Sequence, residues 1–435
     1  MTVTVIGGGL AGCEAAWALA TRGVPVRLVE MKPIRRSPAH RTDELAELVC
    51  SNSLKAARID SAAGLLKEEM RRFGSVCMAA ADESRVDAGG ALAVDRDRFS
   101  AAVSRRIHEH PLIEVEHREV TAIPEGPVIV ASGPLTSDAL AEDIARLCGD
   151  GLHFYDAAAP IVTAASVDPA TSFRASRYDN ESSGAGDYIN CPLNKAEYEA
   201  FHAALVSAET APLHDFDVAA PEVYEGCMPI EVLAKRGADS IRFGPMKPVG
   251  LRDPRTGHRP WAVLQLRAEN AEGTLYNLVG FQTNLKFGEQ KRVFGMIPAL
   301  ANAEFVRYGV MHRNTFLRSP ELLTSGFRFR DRKDLWFAGQ MTGVEGYMES
   351  ASSGMLAGIN CARALTGREE LVLPRTSMMG ALSAYVAAPN VNFQPMGANF
   401  GILPPLETPI RDKRERYAAL AARGLADLEK VIDKP

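Results

Sequence analysis

No two cysteines in this chain stand in a Cys-x-x-Cys pair, and no histidine–cysteine spacing of the zinc-binding kind occurs. The seven cysteines, an odd number, signal neither a redox dithiol nor a structural metal site. The nine histidines form no ligand pattern either, so no metal is expected. Cysteine usage of this kind fits a reduced, cytoplasmic protein. No apolar run is long enough to span a bilayer, so no membrane association is expected. The apolar N-terminus lacks a basic leader, carries Glu14 and runs on into a second strand, which argues against a secretion signal. Positive charge is not in excess: the net charge is −5, and no global basic field announces a nucleic-acid binder. Internal repeats and low-complexity tails are absent from the sequence.

What is present is ordinary globular material. The 435 residues are 46% hydrophobic and 24% charged, enough for two or three domains. The first ten residues end Val3-Thr4-Val5-Ile6-Gly7-Gly8-Gly9-Leu10, followed by Ala11 and Gly12; an alanine-rich stretch and Val26-Arg27-Leu28-Val29-Glu30 come next. This predicts a strand, a Gly-x-Gly-x-x-Gly turn, a helix and a second strand closed by an acid. Each part has a mechanical task in holding a dinucleotide. Gly7 permits the turn, Gly9 lets a pyrophosphate approach the backbone, and Gly12 lets helix and strand pack closely. The phosphates then meet the free N–H groups of the turn and helix start, from Gly8 through Leu10 and Ala11. Glu30 is placed for an adenosine ribose, which suits FAD or NAD rather than NADP.

Farther along, residues 31–57 are polar and irregular and end in Leu48-Val49-Cys50-Ser51-Asn52-Ser53-Leu54-Lys55. Helical periodicity appears at 65–73 and 96–109, and Pro127–Gly133 reads as a buried strand. A helix is expected over 195–206 and strands over 263–267 and 275–283. The run from Asp334 to Tyr347 repeats the strand, glycine-rich turn and helix start of the N-terminus. Gly339, Gln340, Gly343 and Tyr347 are candidate cofactor contacts, because a helix start suits the electron-rich edge of a reduced flavin. The fold expected is α/β: a Rossmann-like FAD-binding domain built from both chain ends, 1–189 and 301–435, with a smaller α/β domain inserted at 190–300.

Two cysteines stand in unusual surroundings. Cys50 lies in a polar loop, and Cys227 lies in Tyr224-Glu225-Gly226-Cys227-Met228-Pro229-Ile230-Glu231. A thiolate is a strong nucleophile wherever a base or cation lowers its pKa, although such residues are also common as small buried side chains. Cys13 and Cys361 fall in small-residue helices and read as packing. Basic residues gather at Lys286, Lys291 and Arg292, interleaved with Phe287 and Phe294, a pattern open to phosphate contacts or to simple solvation. His312 reads equally as a pocket or a core residue.

Taken together, these motifs resemble the TrmFO family of folate- and FAD-dependent tRNA (uracil-5-)-methyltransferases. The matching segments are Val5–Gly12, Leu48–Leu54, Glu225–Glu231, Arg242–Gly250, Gly280–Lys286, Arg307–Phe316, Gly339–Tyr347 and Phe393–Met396, nearly the whole length of the chain. The Gly339–Tyr347 run also resembles GidA relatives, while the cysteine segment and short C-terminus favour TrmFO. One departure is Gly295, where a basic residue is expected. The resemblance implies methylation of uridine at C5, position 54 of the tRNA T loop. The carbon comes from 5,10-methylenetetrahydrofolate, and NADPH or NADH reduces the FAD. It makes Cys227 the nucleophile at uracil C6 and Cys50 the partner that handles the C5 proton or otherwise assists. The T arm must then be opened to extrude the base. The same chemistry on an rRNA uridine, or a flavin-dependent oxidoreductase of unknown substrate, are the alternatives. A disulfide oxidoreductase would need the cysteine pair that the sequence lacks.

Overall fold

The computed structural model describes residues 1–37, 39–149, 152–157, 159–177, 186–211, 228–270, 272–309, 311–390 and 393–432, with backbone alone at 152–157 and 311–315. Short apolar runs build a five-stranded parallel sheet. Its order is Leu335–Phe337, Val128–Val130, Val3–Ile6, Val26–Glu30 and Ile113–His117. Val3, Val5, Leu28, Val128, Ile129, Leu335 and Phe337 are all buried, as expected of parallel strands covered on both faces. The strand from near the C-terminus completes a sheet begun at residue 3, so both chain ends make one layer.

Two helices pack on this sheet and on each other, Leu10–Ala20 and Tyr347–Leu365. Small residues set their separation. A Cβ on Gly354 would lie 2.0 Å from the Ala11 carbonyl oxygen, and one on Gly358 would lie 2.6 Å from that of Ala15. Both pairs have the same offset in sequence, so the helices run parallel and start at the same end. Level with Leu10 is Ser353, and residues 347–352 overhang the start of the first helix.

A second sheet is antiparallel throughout. Its order is Phe173–Arg174, Tyr188–Leu193, Ala262–Ala268, Leu275–Leu278, Ile161–Thr163 and Phe305–Arg307. Alternation gives it two unlike faces. Val162, Cys191, Leu264, Leu266, Tyr276 and Leu278 pack with Phe201, Phe281 and Phe294 into a second apolar core. Asn190, Gln265, Arg267, Asn277 and Arg307 are buried on the other face, from which Arg267 and Arg307 reach residues 49–52. The strands Leu152–Ala157 and Met311–Phe316 pair antiparallel where the chain enters and leaves this region.

The expected limits of the insert, 190 and 300, both fall within the span of this sheet, which begins at Ile161 and ends at Arg307. Strands of two or three residues carry too little periodicity to be legible. The strand expected over 275–283 stops at Leu278, because Gly280 turns the chain with φ +77°.

The helix crossing generates a prediction. Gly354→Val should cost about 1–3 kcal/mol or more in urea unfolding, since the Ala11 backbone has nowhere to go. Gly288 sits at an exposed position of the helix Phe287–Phe294 with nothing near its missing Cβ. Gly288→Ala should leave stability unchanged or raise it by about 0.5–1 kcal/mol. Equal stabilities for the two variants would contradict the packing described.

Candidate functional site

A cavity of about 360 Å³ opens at the carboxyl ends of the parallel strands, where both helices start. Ligands of open α/β sheets bind in this place. Gly7, Gly9, Leu10, Ala11, Glu30, Cys50, Gly339, Gln340 and Tyr347 line it.

The three signature glycines have different physical reasons to be glycine. Gly7 has φ +103°, and its Cβ would lie 2.6 Å from the Ala131 carbonyl oxygen. A Cβ on Gly12 would lie 1.8 Å from the Gly7 oxygen. Gly9 is unlike both: its φ is an ordinary −75°, and its missing Cβ points into open space. Nothing in the protein forbids a side chain there. The helix that Gly9 caps has no side-chain cap and no acid in its first turn. Its N–H groups are thus left for an anion, and the residues fit a dinucleotide pyrophosphate.

Glu30 is buried and works first on the turn itself. Its carboxylate accepts from the Gly8 N–H at 2.7 Å and from the Lys32 N–H at 2.9 Å. A carboxylate has about four lone-pair sites, so capacity for a ribose hydroxyl remains. Gly8 and Gly12 stand behind the cavity wall. So does Gly343, where a Cβ would lie 2.4 Å from the Phe393 ring. Its carbonyl accepts from Met396 at 2.9 Å, so this glycine serves packing of the C-terminal segment.

The second helix start differs from expectation. Its first turn carries Glu349, buried, whose carboxylate accepts from Lys55 Nζ at 2.6 Å and from the Ala398 N–H at 3.0 Å. Lys55 has φ +64°, a left-handed conformation that a lysine adopts only when its surroundings impose it. Both residues line the cavity, and neither has a role assigned from sequence. Only the positive φ would have flagged Lys55, and that is invisible in sequence.

Tyr347 reaches from the overhanging turn to the Cys50 loop. Its phenol oxygen accepts from the N–H groups of Cys50 at 2.7 Å and Ser51 at 3.0 Å. Burial pushes its phenol up, so it stays neutral. The loop is also gripped by three arginines. Arg96 donates to the carbonyls of Leu48 at 2.6 Å and Cys50 at 3.3 Å. Arg307 donates to the carbonyl of Val49. Arg267 donates to Ser51 Oγ at 2.9 Å and Asn52 Oδ1 at 3.1 Å. Glu269 answers Arg96 at 2.5 Å. Burial pushes the thiols of Cys13, Cys77, Cys191 and Cys361 up and leaves them as packing groups.

Cys227 lies outside the described residues. The chain on either side of that segment is anchored on one stretch, Gln282–Leu285. Thr210 bridges Leu285, the Ala211 N–H donates to the Asn284 carbonyl at 2.7 Å, and the Ile230 N–H donates to the Gln282 carbonyl at 2.7 Å. Glu231, buried, holds the Asn284 N–H and the Thr283 hydroxyl, each at 2.8 Å. Gln282 itself lines the cavity. Of the basic candidates, Lys286 pairs with Glu209 and Arg292 with Glu289, each at 2.6 Å, while Lys291 is exposed. His312 lies in a strand described by its backbone alone. Among the described residues no cluster could hold a metal ion, and no helix is long and apolar enough to cross a membrane.

Comparison with known proteins agrees with this geometry. The family model for GidA, glucose inhibited division protein A, matches residues 2–369. A protein of Enterococcus faecalis named methylenetetrahydrofolate--tRNA-(uracil-5-)-methyltransferase TrmFO is 56% identical over 99% of this chain and 98% of its own. One of the same name from Pelotomaculum thermopropionicum is 58% identical over the same shares. Among solved structures, Aquifex aeolicus GidA in one crystal form superposes with a TM-score of 0.71 at 18% identity. The match covers 99% of this chain and 75% of that one, a likeness of fold. The chain belongs to the GidA family and, within it, to the group of its TrmFO relatives.

Proposed function

We propose that this protein methylates C5 of a uracil in tRNA, at uridine 54 of the T loop. It takes the carbon from 5,10-methylenetetrahydrofolate, with FAD in the cavity and NADPH or NADH as reductant. The observation that carries the reading is a shared cavity: the open glycine cradle and the Cys50 loop line one wall-to-wall space. It does so in a chain more than half identical to enzymes named for that reaction.

The cradle's N–H groups at Gly9, Leu10 and Ala11 would hold the pyrophosphate, and Glu30 the ribose. Gly339, Gln340 and Tyr347 would border the ring. When bound, FAD supplies the two-electron reduction that turns a transferred methylene into a methyl group. The protein's own residues handle the uracil. C5 of uracil is a poor nucleophile until a thiolate adds to C6, which makes C5 enolate-like. Cys227 is the residue for that addition. It stands three positions before the anchored Ile230 in the sequence. Cys50 would accept the proton that C5 must lose. A uridine held in tRNA tertiary structure has to be extruded to reach such a cavity, and Lys286, Lys291 and Arg292 are candidates for the phosphate contacts. A tRNA substrate also accords with a cytoplasmic location.

The deciding experiment incubates unmodified tRNA with the enzyme, labelled methylenetetrahydrofolate and NADPH, then maps the label. Label at uridine C5 of the T loop is expected; label on rRNA alone, or none, overturns the reading. Cys227→Ala should slow transfer about a thousandfold or more while leaving flavin bound. Gly9→Val tests the cradle. The variant should keep the stability of the cofactor-free protein within about 0.5 kcal/mol yet purify with little flavin. A fully yellow Gly9→Val protein would show that the pyrophosphate sits elsewhere.

A further inference from the structure

Three guanidinium groups converge on a single loop that has no regular structure of its own. The carbonyls of Leu48, Val49 and Cys50 all accept from Arg96 or Arg307, and the side chains of Ser51 and Asn52 both accept from Arg267. The three arginines come from separate elements: the start of helix Arg96–Glu109, the strand Ala262–Ala268 and the strand Phe305–Arg307. Arg267 and Arg307 are 7% and 8% exposed. Burying cations is costly unless anions accompany them.

We propose that Arg96, Arg267 and Arg307 are positioning residues that fix the Cys50 loop and hold the Cys50 sulfur as a thiolate, with Glu269 moderating their charge. The purpose of that thiolate rests on the uracil chemistry proposed above; its ionisation does not.

The groups around the loop divide cleanly. Arg96, Arg267 and Arg307 bring positive charge, and Glu269 brings negative charge, accepting from Arg96 at 2.5 and 3.4 Å. Tyr347 contributes a neutral phenol whose oxygen accepts from the Cys50 and Ser51 N–H groups. Lys55 is matched by Glu349, and Glu47 is turned to the N–H of Arg41 at 2.8 Å and to Lys32 at 3.4 Å. Burial first, then the nearby Arg96 and Arg41 cations, push Arg307 down to about 10, and the Tyr347 phenol and the Cys50 thiol both lie within its electrostatic reach. The electrostatic partners of Arg96 and Arg267 likewise include Cys50. Cations beside a thiol favour its ionised form. In the reaction, such a thiolate takes the C5 proton: the S–H bond forms, the C5–H bond breaks, and its electron pair enters the uracil ring.

The test needs neither folate nor tRNA. Flavin-loaded enzyme is treated with iodoacetamide across pH, and alkylation at Cys50 is followed by peptide mass spectrometry. An ordinary cysteine titrates near about 8.5. The wild-type midpoint should be about pH 7.5 or lower. Arg267→Gln and Arg307→Gln should each slow alkylation at pH 7 about tenfold by raising that midpoint. Should either variant fail to fold, Glu269→Gln decides the matter: it removes negative charge and should lower the midpoint. An ordinary wild-type midpoint, or one that none of these substitutions moves, overturns the proposal. If the alkylation profile behaves as expected while wild type makes no 5-methyluridine, the uracil reading fails and the arginine assignment stands.

Discussion

The parallel crossing of two small-residue helices is the constraint on which the site depends. Ala11 against Gly354 and Ala15 against Gly358 let the helices approach closer than any larger residue would permit. The consequence is positional. Two helix starts, one from each end of the chain, face the same cavity, and the longer one overhangs the shorter. The overhang carries Tyr347 to the Cys50 loop and Glu349 to Lys55. A wider crossing would keep the sheet and lose these contacts.

A second constraint is the polar face of the antiparallel sheet. Sheets are ordinarily joined to neighbouring layers by apolar residues, yet this one reaches the Cys50 loop with Arg267 and Arg307, while Asn190 and Gln265 on the same face bond to each other. Buried ionic contacts contribute little net stability, and well-packed apolar replacements often do better. Their value lies in direction. A guanidinium fixes the orientation of the carbonyl it binds, and three of them fix a loop that no ladder supports. Stability in each layer comes from its own apolar core; alignment between layers comes from arginine. A thiol on that loop is thereby held against the cavity that the glycine cradle also lines.

Much of this was legible in sequence. The glycine spacing specified the first turn because each glycine answers a separate steric demand, and the helix over Arg96–Glu109 was read to its observed ends because its periodicity is long. The Asp334–Tyr347 run echoed the first unit closely enough to be placed beside it. Short strands such as Ile161–Thr163 and Phe173–Arg174 were not legible, because two or three residues hold no pattern. Nor was the arginine grip: Arg96, Arg267 and Arg307 are far apart in sequence, and each reads locally as an ordinary surface charge. The pairing of Lys55 with Glu349 depends on a backbone conformation that composition does not encode. Gly343 read as a cofactor contact because it sits in a glycine-rich turn; its neighbour is Phe393, remote in sequence.

The central claim is that the sulfur of residue 227 meets a uracil in the cavity shared by the glycine cradle and Cys50. The most direct measurement uses T-arm RNA carrying 5-fluorouridine in place of the target uridine, because fluorine at C5 blocks the proton loss that would release the adduct. After incubation with folate and reductant, the denatured protein is digested and the nucleotide-bearing peptide is sequenced by mass spectrometry. The account predicts a nucleotide attached at Cys227. Attachment at Cys50, or RNA bound with no covalent product, would contradict it.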